Sequence, residues 1–313
     1  MSICKACNKE FETDKQLHAH LKAHKLLMVE YYQKYYPRYD LHDKKIIKFK
    51  NKEQYLNADF NSRTNLRLWL KNQTKEKAQE YCRAFLEKRK LEKELTYSLT
   101  QVELRSLMSP PMQYYNEIFG WNGYYSLCSE IGYKNKHAVF NEIVSGAEYN
   151  KPEYKIIIDT REQKPLKFTN RPTEMRALKF GDYAFSSSSS TCDCFIERKS
   201  LSDFIGTMSG GYERFINEIK RAEEANSYLV VLVEDNISRA TSFQYLPHIS
   251  KKIKATPEFI FHRVRRLSQK YPFLQFLFVN GRKEASRVVE KIFSCGCCHE
   301  KIDLQHAYAL KKL

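Results

Sequence analysis

Hydrophobic and polar positions divide the 313-residue chain into a first half with helical spacing and a C-terminal part in which strand and helix patterns alternate. Much of the stretch 62–95 repeats apolar residues every three to four positions, as an amphipathic helix does. Further along, four short apolar runs predict strands and three stretches have helical spacing. The strands are placed at 154–158, 194–196, 228–233 and 273–279, and the helices at 212–225, 257–270 and 283–293. This alternation predicts an α/β domain with a mixed sheet after a mainly α-helical region.

The charge of the chain indicates a polyanionic partner. The sequence has 53 Lys and Arg residues against 37 Asp and Glu residues, a formal net charge of +16. Basic side chains that neutralise phosphates release condensed counterions, which favours nucleic acids as ligands. A basic protein without such a partner is the alternative that composition leaves open.

No apolar run approaches the roughly 20 residues that a membrane helix needs, and the polar N-terminus has no signal-peptide pattern. We therefore expect an intracellular, cytoplasmic protein, or a nuclear one in a eukaryote, that does not bind membranes. The cysteines fit a reducing compartment, because a CxxC pair near paired histidines is typical of metal binding rather than of disulfides.

Residues 1–25 contain two cysteines and two histidines at the spacing of a zinc finger, namely Cys4-x2-Cys7-x12-His20-x3-His24. Two thiolates on a turn and two imidazoles one helical turn apart can complete a tetrahedron around Zn²⁺. The sequence therefore predicts a structural zinc site. His18 is an alternative ligand, but the spacing favours His20.

The finger also offers groups for nucleic acid. Lys15, His18 and Lys22 lie on its predicted helix, where they could face a DNA groove. A lone finger reads only about three base pairs, so binding to another protein is an open alternative.

Residues 26–150 form a basic region in which the stretch 41–93 has 15 Lys and Arg residues and 7 Asp and Glu residues. Near its end, at about 100–133, Phe119-Gly120-Trp121 lies between two helical patterns. This stretch resembles the short helical repeat found beside the catalytic domains of homing endonucleases. We expect 26–150 to be a helical DNA-binding region. The alternative is a small helical subdomain with Phe119 and Trp121 in its core and no role in DNA binding.

Candidate catalytic residues follow the predicted strands of the third region. They are Asp159 and Glu162 in DTRE, Asp182 in GDY, and Glu197 and Lys199 in ERK. Phosphodiester cleavage needs a hard cation, and Mg²⁺ prefers carboxylate oxygens. Glu197 and Lys199 are two residues apart, so on a strand both point to the same side while Arg198 faces away with a carbonyl that could complete the metal shell.

Each acid also has an ordinary structural explanation. Asp159 could pair with Arg161, and Asp182 could cap the turn after Gly181. An isolated ExK sequence occurs by chance in many proteins. Only the combination, in this order and on predicted strands, predicts a catalytic site.

The series DTRE, GDY and ERK-x3-Asp203 resembles the active site of the XPF-type structure-specific nucleases, a branch of the restriction-endonuclease-like (PD-ExK) fold. The resemblance covers roughly 140 residues, extending weakly to about 294. It implies a DNA endonuclease that uses Mg²⁺ or Mn²⁺ and leaves a 5′-phosphate. It also implies double-stranded DNA as substrate and leaves a homodimer open as the assembly. The implied site residues are Asp159, Glu162, Asp182 and Glu197 at the metal, Lys199 and Arg198 at the phosphate, and Arg161 in contact with nucleic acid.

The sequence departs from this family because no tandem helix-hairpin-helix pattern follows the nuclease region. We therefore expect targeting by the upstream segments, as in a site-directed enzyme of a mobile element or phage. The alternatives are a branch- or flap-specific nuclease of repair or recombination, a catalytically inactive DNA-binding scaffold, and a nuclease that acts on RNA.

A second cysteine cluster lies near the C-terminus. Cys295, Cys297 and Cys298, with His299 and His306, could bind a second Zn²⁺, or could only pack or stay free, because the spacing is irregular. The predicted regions are thus 1–25 (finger), 26–150 (basic helical region), 151–294 (nuclease domain) and 295–313 (Cys- and His-containing tail).

Overall fold

The computed structural model describes residues 1–49, 52–137, 154–187, 194–242, 255–294 and 296–313. The chain divides into two compact units, Met1–Ala78 and Gln79–Leu313. The division falls within a long helix, so the helical residues after position 78 belong to the same unit as the sheet.

The first unit begins with a ββα arrangement. Strands β1 (Ser2–Ile3) and β2 (Glu10–Phe11) pair antiparallel, and helix α1 (Asp14–His20) continues into a 3₁₀ turn. Thr13 caps α1 by accepting a hydrogen bond from the Gln16 N–H, while the Gln16 side chain accepts from the Thr13 N–H, which completes a capping box. Helices α2 (Met28–Tyr35), α3 (Lys52–Asn57) and α4 (Arg63–Lys71) follow.

A small aromatic core holds the first unit together. Tyr31 and Tyr32 of α2 are buried with Leu17 and Leu21 of the finger, and the Tyr31 hydroxyl accepts a hydrogen bond of 2.8 Å from the Lys5 N–H. The aromatic run after the finger therefore packs against it. A finger of this size has too little apolar surface to fold without such support or a metal.

The second unit opens with a helical subdomain. Helix α5 (Lys75–Lys93) is followed by α6 (Gln101–Ser106), α7 (Met112–Phe119) and α8 (Gly123–Glu130). The helical pattern at 62–95 is thus two helices, because α4 ends at the Asn72 cap before α5 begins.

The Phe-Gly-Trp segment forms the turn between α7 and α8. Gly120 has a φ of +89°, a conformation that L side chains rarely adopt. Trp121 is 79% exposed, whereas Phe119 is partly buried against the helical core. The alternative in which both aromatic side chains form the core of the subdomain is therefore wrong for Trp121.

A six-stranded mixed sheet forms the centre of the second unit. Its strands are β3 (Tyr154–Ile158), β4 (Thr173–Met175), β5 (Tyr183–Ser187), β6 (Cys194–Lys199), β7 (Tyr228–Val233) and β8 (Leu274–Phe278), in the order β4-β3-β5-β6-β7-β8. Strand β5 runs antiparallel to both its neighbours, and the β3–β4, β6–β7 and β7–β8 pairs are parallel. The predicted α/β fold with a mixed sheet is confirmed.

Helices cover both faces of this sheet. They are α9 (Leu201–Met208), α10 (Tyr212–Glu224), α11 (Ile237–Ala240), α12 (Pro257–Lys270), α13 (Arg282–Ser294) and α14 (Leu304–Ala309). One core joins α9, α10 and α12 to the sheet, and the other joins α13 and α14 to it. The three predicted helices are confirmed as α10, α12 and α13. No described helix has the length and apolar character that crossing a membrane requires.

The helical subdomain is built into the sheet unit through buried polar contacts. Val102 of α6 lies in the core beside α12. The Gln101 N–H donates to Asp303, at the start of α14, over 2.6 Å, and Lys136 donates to the Ser268 carbonyl. Removing residues 79–137 would leave the buried Asp303 carboxyl without one of its two backbone donors.

The pH dependence of stability should reveal this buried carboxyl. Burial raises the pKa of Asp303 to about 6, so its stabilising contribution is present at low pH and is lost as the pH rises through that value. Asp303→Asn cannot ionise. Between pH 5 and pH 8, we expect the free energy of unfolding of the variant to rise by about 1 kcal/mol relative to that of the wild type, as measured by urea unfolding. Parallel pH profiles for the two proteins would contradict the assignment.

Candidate active site

Strand β6 sets the direction of the three ERK side chains. Glu197 and Lys199 point to the same side, and the Lys199 Nζ donates to Glu197 Oε1 over 2.7 Å. Arg198 points the other way, as the alternation of a strand requires. The pairing of β6 with β7, in which Glu197 is opposite Val231, anchors the strand against the buried centre of the sheet.

Asp182 lies beside Glu197 because the backbone of β6 holds it there. The Asp182 N–H donates to the Ile196 carbonyl over 2.8 Å, and its Oδ2 accepts from the Arg198 N–H over 2.7 Å. The preceding Gly181 has a φ of +70°, and a Cβ there would meet the Ile196 carbonyl oxygen at 3.3 Å. Glycine is therefore required for this close turn.

The two carboxyl groups of Asp182 and Glu197 lie close together with too little positive charge around them to neutralise both. Burial and the neighbouring Glu197 carboxylate raise the pKa of Asp182 well above its ordinary value. A divalent cation would relieve both effects, and hard carboxylate and carbonyl oxygens are the donors that Mg²⁺ and Mn²⁺ accept. The residues present fit such a cation, with Asp182, Glu197 and the Arg198 carbonyl as its donor set.

Asp159 is satisfied by protein donors instead. Its side chain is 1% exposed and accepts two hydrogen bonds from the Arg161 guanidinium, at 2.7 and 2.9 Å. The N–H groups of Arg161 and Leu178 each donate over 2.7 Å. The Arg161 guanidinium lowers the pKa of Asp159 to about 2, and these backbone donors contribute. The structure therefore forms the Asp159–Arg161 pair that the sequence left open.

Glu162 and Arg198 lie against each other. The guanidinium of Arg198 donates to both carboxylate oxygens of Glu162, at 2.9 and 3.0 Å, and is 3.2 Å from Glu234. Although burial lowers the pKa of Arg198, these two carboxylates hold it above its ordinary value. Arg282 extends the network to Glu234 at 3.3 Å. Glu162 and Arg198 thus balance each other's charge on the side of β6 opposite Glu197.

Asp203 of the ERK-x3-D pattern supports the first turn of α9. The Ser200 hydroxyl donates to Asp203 Oδ2 over 2.6 Å and accepts from the Asp203 N–H over 3.1 Å. Ser200 is the N-cap of this helix. The contact fixes α9 directly after the strand that carries Glu197 and Lys199.

Glu218, which the sequence did not single out, also belongs to the site. It lies on α10, hydrogen-bonds the Glu197 side chain, and accepts from the Gly181 N–H over 3.4 Å. Burial and the Glu197 charge raise its pKa above the ordinary value. The available signal was a Glu between the apolar positions Phe215 and Ile219 of an amphipathic helix.

An open cleft of about 920 Å³ surrounds the acids. Asp182, Glu197 and Lys199 line it, and Arg161, Lys164 and Arg214 add positive charge. The remaining lining residues are mostly small, polar or charged, and they are Glu162, Gln163, Arg198, Ser202, Asp203, Gly206, Thr207, Gly210 and Gly211. Such a cleft suits an extended polyanion better than a small apolar ligand.

The four finger residues converge in the first unit. The ligand atoms of Cys4, Cys7, His20 and His24 all lie within 4.8 Å of one another. Cys7 Sγ is 3.2 Å from His20 Nε2 and 3.3 Å from His24 Nε2. Within the described ranges, this is the one set of three or more Cys, His, Asp or Glu residues arranged to hold a metal ion. Two thiolates and two imidazoles are the donor set of structural zinc.

Of the three finger residues predicted to contact nucleic acid, two are exposed and one contacts another side chain of its own unit. Lys15 and Lys22 are exposed, whereas His18 lies with its Nε2 3.3 Å from the Tyr32 hydroxyl. His18 therefore contacts its own unit, whereas Lys15 on α1 and Lys22 on the following 3₁₀ turn are exposed cations.

The cysteines of the C-terminal cluster, Cys295, Cys297 and Cys298, have side chains outside the described residues. His299 and His306 are both buried, and the His299 ring packs edge-on against Tyr228. Burial lowers the pKa of His306 to about 4. The second zinc site stays a prediction.

Comparisons with known proteins found one matching domain family and similar solved structures. Residues 158–292 match the ERCC4 domain family. XPF from Aeropyrum pernix in complex with DNA is similar in structure, with 18% sequence identity and a TM-score of 0.33 over 44% of this chain and 62% of that one. XPF from the same organism without DNA gives 17% identity and a TM-score of 0.32 over the same shares.

The chain therefore covers less than two thirds of the length of these XPF structures. No curated protein sequence matches it. The residues that match the ERCC4 domain include Asp159, Asp182, Glu197 and Lys199, so the acids of the cleft lie within the matched stretch.

Proposed function

We propose that this protein is a metal-dependent endonuclease that hydrolyses phosphodiester bonds of double-stranded DNA. The observation that carries the proposal is the pair of adjacent acids, Asp182 and Glu197, beside Lys199 in a cleft with basic side chains. This arrangement supplies both a place for a cation and a group that can contact water.

In this mechanism Asp182, Glu197 and the Arg198 carbonyl would hold the cation. A bound Mg²⁺ or Mn²⁺ supplies a Lewis acid and lowers the pKa of water at the site. Lys199 donates a hydrogen bond that orients the attacking water. The water oxygen forms a bond to phosphorus and loses one proton to solvent, while the bond from phosphorus to the 3′ oxygen breaks and that oxygen takes up a proton from solvent. The products carry a 5′-phosphate and a 3′-hydroxyl.

The basic residues of the cleft would position the strand to be cut. Arg214 is exposed, and so is Arg161, whose guanidinium also donates to Asp159 and to the Leu178 carbonyl. Arginine can bind phosphate oxygens with two parallel hydrogen bonds, whereas lysine acts as a point charge. Lys164 lies in the same cleft. These contacts would hold the backbone without reading bases.

Targeting is proposed to come from the upstream segments. The finger presents Lys15 and Lys22, and the stretch 41–93 has eight more basic than acidic residues. Each phosphate contact adds about one unit to the log–log salt dependence of DNA binding. A DNA-binding region of this kind, joined to a nuclease domain, favours a site-directed enzyme. A branch-specific nuclease, RNA cleavage and an inactive scaffold are the competing functions.

Replacing either central residue should stop cleavage but not binding. We expect Asp182→Ala and Lys199→Ala to lower the cleavage rate at least about 100-fold, the scale of losing one group that stabilises the transition state. DNA affinity should change little, because binding is distributed over many phosphate contacts. Nicking of plasmid DNA in Mn²⁺ and a gel-shift titration measure the two quantities. Lys220→Ala, an exposed change on α10, is the control.

Cleavage by Asp182→Ala at more than a tenth of the wild-type rate would show that the site lies elsewhere. Plasmid, branched DNA and structured RNA as substrates separate the competing functions. Cuts that follow branches regardless of sequence favour the structure-specific enzyme, and no cleavage of any substrate favours the scaffold.

The finger should hold zinc that depends on its four ligands. We expect Cys7→Ser to contain one equivalent of zinc less than the wild type, because the remaining donors cannot close the tetrahedron. His18→Ala is the matched control and should keep its zinc, since His18 contacts Tyr32. Elemental analysis of the purified proteins gives the metal content. Equal zinc in Cys7→Ser and wild type would refute the site.

A further inference from the structure

The carboxyl group of Glu218 contacts both segments that carry the candidate cation ligands. It accepts a hydrogen bond of 3.4 Å from the Gly181 N–H, and it hydrogen-bonds the side chain of Glu197. Gly181 directly precedes Asp182. One side chain from α10 therefore joins the turn that bears one acid to the strand that bears the other.

Two side chains on one face of α10 contact the two candidate catalytic side chains of β6. Phe215 and Glu218 are three residues apart on one helix face, about 4.5 Å along the axis. Glu197 and Lys199 are two apart on one strand face, about 6.6 Å. The Lys199 Nζ lies 5.8 Å from the centre of the Phe215 ring, and Glu218 contacts Glu197. The helix thus contacts both candidate catalytic side chains. Its earlier residue, Phe215, contacts the later strand residue, Lys199, and its later residue, Glu218, contacts the earlier one, Glu197.

This order follows from the topology. Strands β6 and β7 are parallel, and α9 and α10 form the connection between them, so α10 returns against the strand direction. Phe215 and Ile219 on the same helix are buried in the core. Glu218 is half-buried on the same helix. Burying a carboxyl group costs more free energy than burying an apolar side chain, so its polar contacts are expected to have a role.

We propose that Glu218 is a positioning residue of the cation site: it holds the Glu197 carboxylate against the Gly181 turn and so fixes the separation of Asp182 and Glu197. This inference rests on the proposed nuclease function. Among the described residues, the three carboxylates do not converge as a ligand set in the way that the Cys and His residues of the finger do. Because the Glu218 carboxyl is engaged by the Gly181 N–H and by Glu197, we assign it to supporting a ligand rather than to being one.

Direct measurement of Mn²⁺ binding without DNA tests the inference in the full chain. Groups that orient a metal ligand typically contribute 10- to 100-fold to metal affinity. We expect Glu218→Ala to weaken the Mn²⁺ Kd about 10-fold or more, followed by the electron paramagnetic resonance signal of free Mn²⁺. Glu218→Gln should stay within about threefold of wild type, because the amide can donate to Glu197 and accept from the Gly181 N–H.

Two further variants make the test specific. Glu218→Asp keeps the carboxyl group but is one methylene shorter, so it should bind Mn²⁺ more weakly than Glu218→Gln does. Asn217→Ala, an exposed neighbour on α10, should leave the affinity unchanged.

Wild-type Mn²⁺ affinity in Glu218→Ala and Glu218→Asp would overturn the positioning role. Equal weakening by Ala and Gln, with Asp retained, would overturn it too, because charge rather than hydrogen bonding would then matter. If Glu218→Ala does not fold, the comparison of Gln with Asp decides the question. A wild-type protein that binds no Mn²⁺ would refute the cation site itself, and with it the proposed function.

Discussion

Asp182 and Glu197 are held side by side by hydrogen bonds between Asp182 and the backbone of β6. The Asp182 N–H is bound to the Ile196 carbonyl, and the Arg198 N–H is bound to the Asp182 carboxylate. Neither acid can move away without breaking the contact between β6 and the turn before β5. Their mutual repulsion and burial therefore persist in the folded protein, and this constraint determines the chemistry that the cleft can support.

The charged side chains around the site confine the repulsion between carboxylates to Asp182 and Glu197. Three of the other acids around these strands have arginine partners, in the pairs Asp159–Arg161, Glu162–Arg198 and Glu234–Arg282. Lys199 is the cation bound to Glu197, and one ammonium group cannot neutralise Asp182 as well. The negative charge that remains is concentrated where Asp182 and Glu197 meet, which is the condition for a divalent cation to bind.

Much of this architecture could be predicted from the sequence, because the relevant signals are local. The runs 154–158 and 228–233 are buried along nearly their whole length, so their apolar pattern gave the strand bounds directly. The shared direction of Glu197 and Lys199 follows from strand alternation alone. Strands β4 and β5 were missed because they are short and mix polar with apolar residues.

Partners that are distant in sequence could not be predicted in the same way. The Glu162–Arg198 pair joins residues 36 positions apart. Strand alternation predicts that Arg198 points away from Glu197, but no local pattern shows that Glu162 lies on that side. Glu218 was missed for the same reason, since its contacts lie on two other elements. Integration of the helical subdomain with the sheet depends on the buried contact between Gln101 and Asp303, which are 202 positions apart.

The central claim is that the two adjacent acids hold a divalent cation. Anomalous diffraction from crystals soaked in Mn²⁺ tests it most directly, because the manganese signal locates the ion independently of the protein atoms. The account predicts a peak between the carboxylates of Asp182 and Glu197, within about 2.3 Å of oxygens from both. A peak at Asp159 and Glu162 instead, or no peak near Asp182 at saturating Mn²⁺, would contradict it.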